Sequence, residues 1–295
     1  MQGNGSLKAG FPASIRRGAG ACDFSQARRR CLESATRLGI SPMHVHELPA
    51  DPKHDVDRGA RTLVTVATYN ERENLPPLLD AILDVAPDAH VLVIDDNSPD
   101  GTGAIADQRA QADPRVHVLH RAGKLGLGTA VIAAMRWAIA HQYDFMLNMD
   151  ADFSHHPRYI PALRAGAHHA DVTIGSRYVP GGGVVGWGVA RHFMSSGINW
   201  YARLLLRLPA RDTSGAFRCY RVSKLRELDF RKVRSRGYSF QEEILYHCRR
   251  AGFRFRETPI VFEDRRYGSS KINRQEALSA LWIILRLGWS NMMGS

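Results

Sequence analysis

Asp150-Ala151-Asp152 places two carboxylates one residue apart, straight after the apolar run Phe145-Met146-Leu147-Asn148-Met149. Carboxylates so spaced at a strand end can hold a hard divalent cation between protein oxygens and a ligand diphosphate. Mg²⁺ or Mn²⁺ there would neutralise a departing nucleoside diphosphate, a Lewis-acid role. The competing reading is a solvated turn, because Asp is common in loops. A second acidic pair, Asp95-Asp96, follows the apolar run at 90–94. Its functional reading puts Asp96 on a nucleotide base or ribose. Its plainer reading is a helix cap, a part that Ser98 could equally take for a helix opening at Thr102. Candidate phosphate-binding cations lie further on: Arg177 in Gly175-Ser176-Arg177-Tyr178, Arg191 after a glycine-rich loop at 181–188, and Arg265 and Lys271 in the loop at 264–271. Arg and Lys in glycine-containing loops can clamp phosphate, Arg through its planar fork. Taken singly, each reads as readily as a surface charge. His155, His156 and His192 do not make a metal set, since neighbouring histidines after a strand face different ways.

These residues need a scaffold that holds strand ends together. Residues 62–67 form a short apolar, β-branched run, and residues 90–94 and 116–119 form two more. Helical patterns at 75–83, 102–111 and 126–139 alternate with them, and Pro76 and Pro77 are tolerable in a first helical turn. Strand and helix alternating at short spacing predict an α/β fold, a mostly parallel sheet with helices on both faces. Ligands of such sheets bind outside the carboxyl ends of the strands, which is where both acidic pairs fall. Gly126-x-Gly128 lacks the third glycine of a dinucleotide fingerprint, so a tight turn with close helix packing is the better reading.

The chain of 295 residues has a net charge of +11, which favours an anionic partner. Its four cysteines show no zinc or redox spacing and point to a reducing compartment. The longest apolar stretch near the end, 278–289, is interrupted by Arg286 and falls short of the roughly 20 residues a bilayer span takes. Residues 1–60, rich in Gly, Pro, Arg and His, read as a disordered extension, leaving 61–295 as the folded domain. Two stretches, near 193–208 and 274–290, read as basic amphipathic helices with aromatic residues, suited to a membrane interface. Packing on the sheet as core helices is the alternative.

Taken together, the motifs resemble one family, the dolichol-phosphate (polyprenol monophosphate) mannosyltransferases, inverting enzymes of glycosyltransferase family 2 with the GT-A fold. The segments that carry the resemblance are Thr68-Tyr69-Asn70-Glu71-Arg72-Glu73-Asn74-Leu75, Asp95-Asp96-Asn97-Ser98-Pro99-Asp100-Gly101-Thr102 and Lys124-Leu125-Gly126-Leu127-Gly128-Thr129-Ala130. They continue with Met149-Asp150-Ala151-Asp152-Phe153-Ser154-His155-His156-Pro157, Gly175-Ser176-Arg177-Tyr178, Asp212-Thr213-Ser214-Gly215-Ala216-Phe217-Arg218, Phe240-Gln241-Glu242-Glu243-Ile244 and the 264–271 loop. They occur in the family's order from about Thr62 to about Leu287. Ala67 stands where the family usually has Pro, and Asn97 where it usually has Gly; Asn tolerates the left-handed backbone better than most residues.

The resemblance implies roles. Ala67, Tyr69, Glu71, Ile94, Asp96 and Ala151 would hold the nucleotide sugar. Asp150 and Asp152 would coordinate Mg²⁺ or Mn²⁺, with Gln241 as a further ligand. Arg177, Arg265 and Lys271 would bind donor phosphates, and Arg177 with Arg191 the acceptor phosphate. The donor so implied is GDP-mannose and the acceptor a polyprenyl or dolichyl phosphate. The protein would be cytoplasmic, peripheral on the cytosolic face of a membrane, with room for a membrane partner subunit. A phosphate monoester is already an anionic nucleophile, so the site needs cations rather than a strong general base. UDP-glucose as donor is the runner-up. A nucleic-acid-binding protein is the non-enzyme alternative, prompted by the charge and the run Arg231-Lys232-Val233-Arg234-Ser235-Arg236, but no reading element supports it.

Overall fold

The computed structural model describes residues 59–263 and 281–289. The first strand, β1 (Thr62–Thr68), is buried at nearly every position, as its unbroken apolar and β-branched sequence demands. The helix α1 (Leu75–Val85) follows, with Pro76 and Pro77 in its first turn and Leu75, Leu78, Leu79 and Ile82 on its buried stripe. Next come β2 (His90–Asp95), α2 (Thr102–Ala112), β3 (Val116–His120), α3 (Leu127–Ala140) and β4 (Phe145–Asp150). The second half holds α4 (Ile160–Ala167), β5 (Val172–Ser176), β6 (Gly183–Val185), α5 (Val189–Leu205), β7 (Arg218–Arg221), the short α6 (Val222–Leu225), α7 (Phe240–Arg250), β8 (Phe255–Pro259) and β9 (Val261–Glu263). A helix at 281–289, α8, is the last described element.

Seven strands form one sheet in the order β3-β2-β1-β4-β7-β5-β8, and β6 pairs with β9 apart from it. Strands β3, β2, β1 and β4 run parallel, whereas β7 is antiparallel to both of its neighbours. The order reverses on either side of β1, which makes the gap between the ends of β1 and β4 a topological switch point. Register puts Ala67 opposite Asp150 there, and Thr68 opposite Asp95. Apolar clusters cover both faces of the sheet: α1 and α4 pack on one, α3, α7 and the inner sides of α5 and α8 on the other. The expected alternation therefore holds, with each predicted helix running one or two residues further than its pattern, as frayed ends commonly do.

Two local readings come out differently. Ser98 does not cap α2: Asp100 accepts the Thr102 N–H at 3.0 Å and its hydroxyl at 2.6 Å, while Ser98 donates to Asp95 at 2.6 Å. The stretch expected to be helical from 193 to 208 begins earlier and stops at Leu205, because Arg207 turns left-handed at φ 50°. Asn97 sits at φ 56°, the conformation its substitution for Gly had to tolerate. Cys219 and Cys248 are buried free thiols, which burial pushes up to about 12. Both are core residues, outside any redox pair.

Candidate functional site

Two adjoining cavities open at the switch point, and Leu127, Asp150 and Tyr238 line both. The first, of about 220 Å³, is lined by Ala67, Tyr69 and Glu71 from the end of β1, by Asp96 after β2, by Lys124 and Gly126 before α3, and by Asp150, Ala151 and Asp152 after β4. The second, of about 570 Å³, is lined by His155, Arg177, Trp187, Arg191, Gln241, Glu242 and Phe262. It is mostly apolar, with Met194 and Ile198 from α5 on its outer wall.

The first cavity is built by turns whose polar groups are committed to one another. Asp95 is 2% exposed and accepts from the Thr68 hydroxyl, the Ser98 N–H and the Ser98 hydroxyl. It holds the two strand ends in place. Asp96 is the member of the pair that faces the cavity. Its carboxylate accepts the Leu125 N–H at 3.1 Å and lies 3.1 Å from the Arg121 guanidinium. Burial raises its pKa above the ordinary carboxylate value despite that cation. Lys124 lies 4.7 Å over the Tyr69 ring, putting a cation and an aromatic face on one wall. Gly126, at φ 97°, lines the cavity and Gly128 follows it: an added Cβ would come within 2.5 Å of the Arg236 carbonyl at the first and 2.6 Å of the Ser235 carbonyl at the second. These glycines allow α3 to dock tightly on the segment before α7.

Asp150 and Asp152 project from the turn that ends β4. Asp152 turns one oxygen back to the Ser154 N–H and hydroxyl, which fixes the loop. His155 is fully buried, stacks on Phe217, and accepts the Asp150 N–H on Nδ1 at 3.1 Å. That leaves its proton on Nε2, and burial pushes its pKa below the ordinary imidazole value. A neutral histidine thus positions the first aspartate.

The second cavity rests on a buried ion pair. Asp212, with no exposure, accepts from Arg177 Nε and Nη2, both at 2.7 Å, from its N–H at 3.0 Å and from the Gly215 N–H at 3.0 Å. Burial would raise the Asp212 carboxyl, but the Arg177 charge and these hydrogen bonds hold it below the usual range. Arg177 also donates to Ser214 at 2.9 Å and faces Tyr178, Trp187 and Phe262 at 5.2–5.5 Å. It frames the cavity wall with most of its donors already engaged. Arg191 stands 4.3 Å over Trp187 at the mouth. Arg218, fully buried, donates to the carbonyls of Gln241 and Thr213, both at 2.7 Å, and so ties α7 to the Asp212 loop. Among the described residues, three buried polar atoms on this cavity have no hydrogen-bond partner: Trp187 Nε1, Gln241 Nε2 and Glu242 Oε2. Burial pushes the Glu242 carboxyl up to about 7.

Of the residues expected from the sequence, Ala67, Tyr69, Glu71, Asp96, Asp150, Ala151 and Asp152 come together in the first cavity, and Arg177, Arg191, Gln241 and again Asp150 in the second. Ile94 does not reach either; it is 1% exposed and packs into the core beneath β1 and α3. Arg265 and Lys271 lie outside the described residues. The site residues that single-residue reasoning passed over are Asp212, Lys124, Trp187 and Glu242. No local signal marks Asp212, because the cation that meets it, Arg177, lies 35 positions away.

The donor set suits a hard cation. Asp150, Asp152 and the Gln241 amide oxygen are all oxygen ligands on the walls around one shared edge. Among the described residues no three His, Cys, Asp or Glu side chains converge to hold an ion by themselves. A diphosphate would supply the remaining oxygens.

The sequence signature described as glycosyl transferase family 2 matches residues 63–229. An undecaprenyl-phosphate mannosyltransferase of Micrococcus luteus is 45% identical over 213 residues, 72% of this chain and 88% of that protein. A polyprenol monophosphomannose synthase of Mycolicibacterium smegmatis is 43% identical over 233 residues, 77% of this chain and 87% of its own length. Among solved structures, glucosyl-3-phosphoglycerate synthase from Mycobacterium tuberculosis, in complex with Mn²⁺, UDP and phosphoglyceric acid, superposes with a TM-score of 0.58 at 17% identity, over 78% of this chain and 79% of that one. That likeness is one of fold.

Proposed function

Because the chain belongs to glycosyl transferase family 2, we propose that it transfers mannose from GDP-mannose to a polyprenyl phosphate, with inversion, at the cytosolic face of a membrane. One observation carries this reading: a cavity lined by Tyr69, Glu71, Asp96 and Lys124 and a larger, mostly apolar cavity share Asp150 as a common wall. A donor in the first and a lipid phosphate in the second would meet there. Two relatives, whose names include undecaprenyl-phosphate and polyprenol, support the choice of acceptor.

The chain's own groups divide the work. Tyr69 and Asp96 hold the nucleoside, and the Lys124 ammonium beside Tyr69 attracts its phosphates. Asp150 and Asp152, with Gln241, would hold Mg²⁺ or Mn²⁺, which when bound neutralises the leaving diphosphate. Arg191 and the Trp187 Nε1–H at the second cavity suit acceptor phosphate oxygens. Such a phosphate carries about −1.5 to −2 charges at neutral pH, so it attacks without a general base. Holding it in line with the anomeric carbon is the main contribution left to the protein.

The route to a lipid lies beside the second cavity. Val189, Phe193, Met194, Trp200 and Leu204 of α5 are exposed, as are Trp282, Leu285 and Trp289 of α8. The opposite sides of the same helices share a core through Ala202, Leu206, Ile284 and Leu287. Each helix therefore packs on the sheet and still turns an apolar face outward, and the exposed Arg203 and Arg207 lie in and just after α5. That composition fits an anionic membrane surface. Among the described residues no helix is long and apolar enough to cross a membrane.

The test is a panel of labelled GDP-mannose, UDP-glucose and UDP-N-acetylglucosamine, each offered with undecaprenyl phosphate and Mg²⁺ or Mn²⁺. Lipid-linked mannose of inverted anomeric configuration is the expected product. Transfer from UDP-glucose alone would replace the donor reading, and retained configuration would exclude single displacement.

A further inference from the structure

We propose that Glu242 is a specificity-determining residue whose buried carboxylate accepts hydrogen bonds from the hydroxyl groups of the donor sugar. This rests on the reading above that a nucleotide sugar reaches across the shared edge at Asp150. Glu242 is 3% exposed, lies in the first turn of α7, and lines the second cavity next to Gln241. Its Oε2 has no hydrogen-bond partner among the described residues. The cations that act on it electrostatically are occupied elsewhere. Arg177 is held by Asp212 and Ser214, and Arg218 donates to the carbonyls of Gln241 and Thr213. Arg218 Nε is itself unpartnered, and no hydrogen bond joins it to Glu242.

A buried acceptor without a donor is unfavourable, and it persists where a ligand supplies what the protein does not. The chemistry of the cavity says which part of the ligand that is. Trp187 Nε1 and Gln241 Nε2 are donors without acceptors, suited to phosphate oxygens. Glu242 Oε2 is an acceptor without a donor, and hydroxyl groups supply the donor that phosphate oxygens do not. Between a diphosphate near Asp150 and a lipid phosphate near Arg191, the hydroxyl-bearing group is the sugar in transit. A site built to hydrogen-bond a hydroxyl discriminates strongly against donors that lack it.

The experiment combines Glu242→Gln with GDP-mannose analogues deoxygenated singly at C2, C3, C4 and C6. In the wild type, one deoxy position should lower kcat/KM on the order of 10–100-fold. In Glu242→Gln, the intact donor should lose a comparable factor, and the same deoxy position should cost little more. GDP itself should bind both proteins within about twofold, because it carries no sugar. Equal weakening of GDP and GDP-mannose would mean a structural role and would overturn the proposal. So would a deoxy penalty unchanged by the substitution. If the variant does not fold, the wild-type series still decides, since no deoxy position costing more than about threefold also overturns it. Should the wild type reject GDP-mannose, the donor reading fails, and the same cycle with the accepted nucleotide sugar tests Glu242 separately.

Discussion

The two ends of the parallel strands each carry a polar cluster, and the clusters are built on opposite principles. At the amino ends, His90 Nδ1 lies 2.9 Å from both His117 Nε2 and the Tyr143 hydroxyl. Trp137 stacks on His141 at 3.8 Å, and Arg61 covers Tyr143 at 4.7 Å while donating to the His141 carbonyl. None of these ring nitrogens or hydroxyls is left buried without a partner, although the Thr62 hydroxyl at the start of β1 is, among the described residues. At the carboxyl ends, around Asp150, the lining includes Trp187 Nε1, Gln241 Nε2 and Glu242 Oε2, which are buried and unpaired among the described residues. The first cluster completes itself and contributes rigidity. The second presents donors and an acceptor that the described residues do not satisfy. A buried polar group is informative about function chiefly when its partner is missing.

Four variants test that contrast. The largest effect is expected at the shared wall: Asp150→Asn should reduce kcat about 10³-fold or more while the melting temperature stays near that of the wild type, read by product assay and calorimetry. Breaking the scaffold of the second cavity should instead act on stability. Asp212→Ala leaves Arg177 charged and buried without its partner and should cost about 3–5 kcal/mol in denaturant unfolding, with activity falling in parallel. Removing the outward aromatic residues, Trp200→Ser with Trp282→Ser, should weaken binding to anionic vesicles roughly tenfold and leave transfer to a short, soluble prenyl phosphate unchanged.

The smallest effect concerns the self-satisfied end, and it depends on pH. Burial lowers the pKa values of His90, His117 and His141, that of His117 to about 4. Below about 6.5 the unfolded chain takes up protons that the folded cluster refuses, so stability should fall as pH drops from 6.5 towards 4. His117→Gln should flatten that decline by about 1 kcal/mol, measured by unfolding at pH 7 and pH 5. An unchanged pH slope would show that the cluster is solvated rather than closed.

Much of this contrast was legible in the sequence, but unevenly. The parallel strands and the acidic pairs at their ends follow from apolar runs and their terminal residues, because a strand buried on both faces has an unmistakable composition. Asp96 and Asp95 could not be separated that way. Only the turn geometry shows Asp95 closing the Thr68 and Ser98 hydrogen bonds while Asp96 faces the cavity. Arg177 was legible as a cation near phosphate chemistry, but its commitment to Asp212 is a contact across 35 positions that no local pattern reveals. Ile94 shows the converse limit, since a residue next to a site in sequence can turn its side chain into the core. The three unpaired atoms are invisible to sequence altogether, because being unpaired is a property of the folded surroundings.

The central claim is that Asp150 and Asp152 hold a cation together with the donor's diphosphate, and GDP binding with and without Mn²⁺ tests it most directly. Calorimetric titration of the wild type should show GDP affinity at least tenfold higher with the ion present. The double variant Asp150→Asn, Asp152→Asn, verified as folded, should bind GDP weakly and equally in both conditions. An undiminished Mn²⁺ response in that variant would place the ion elsewhere and contradict the account.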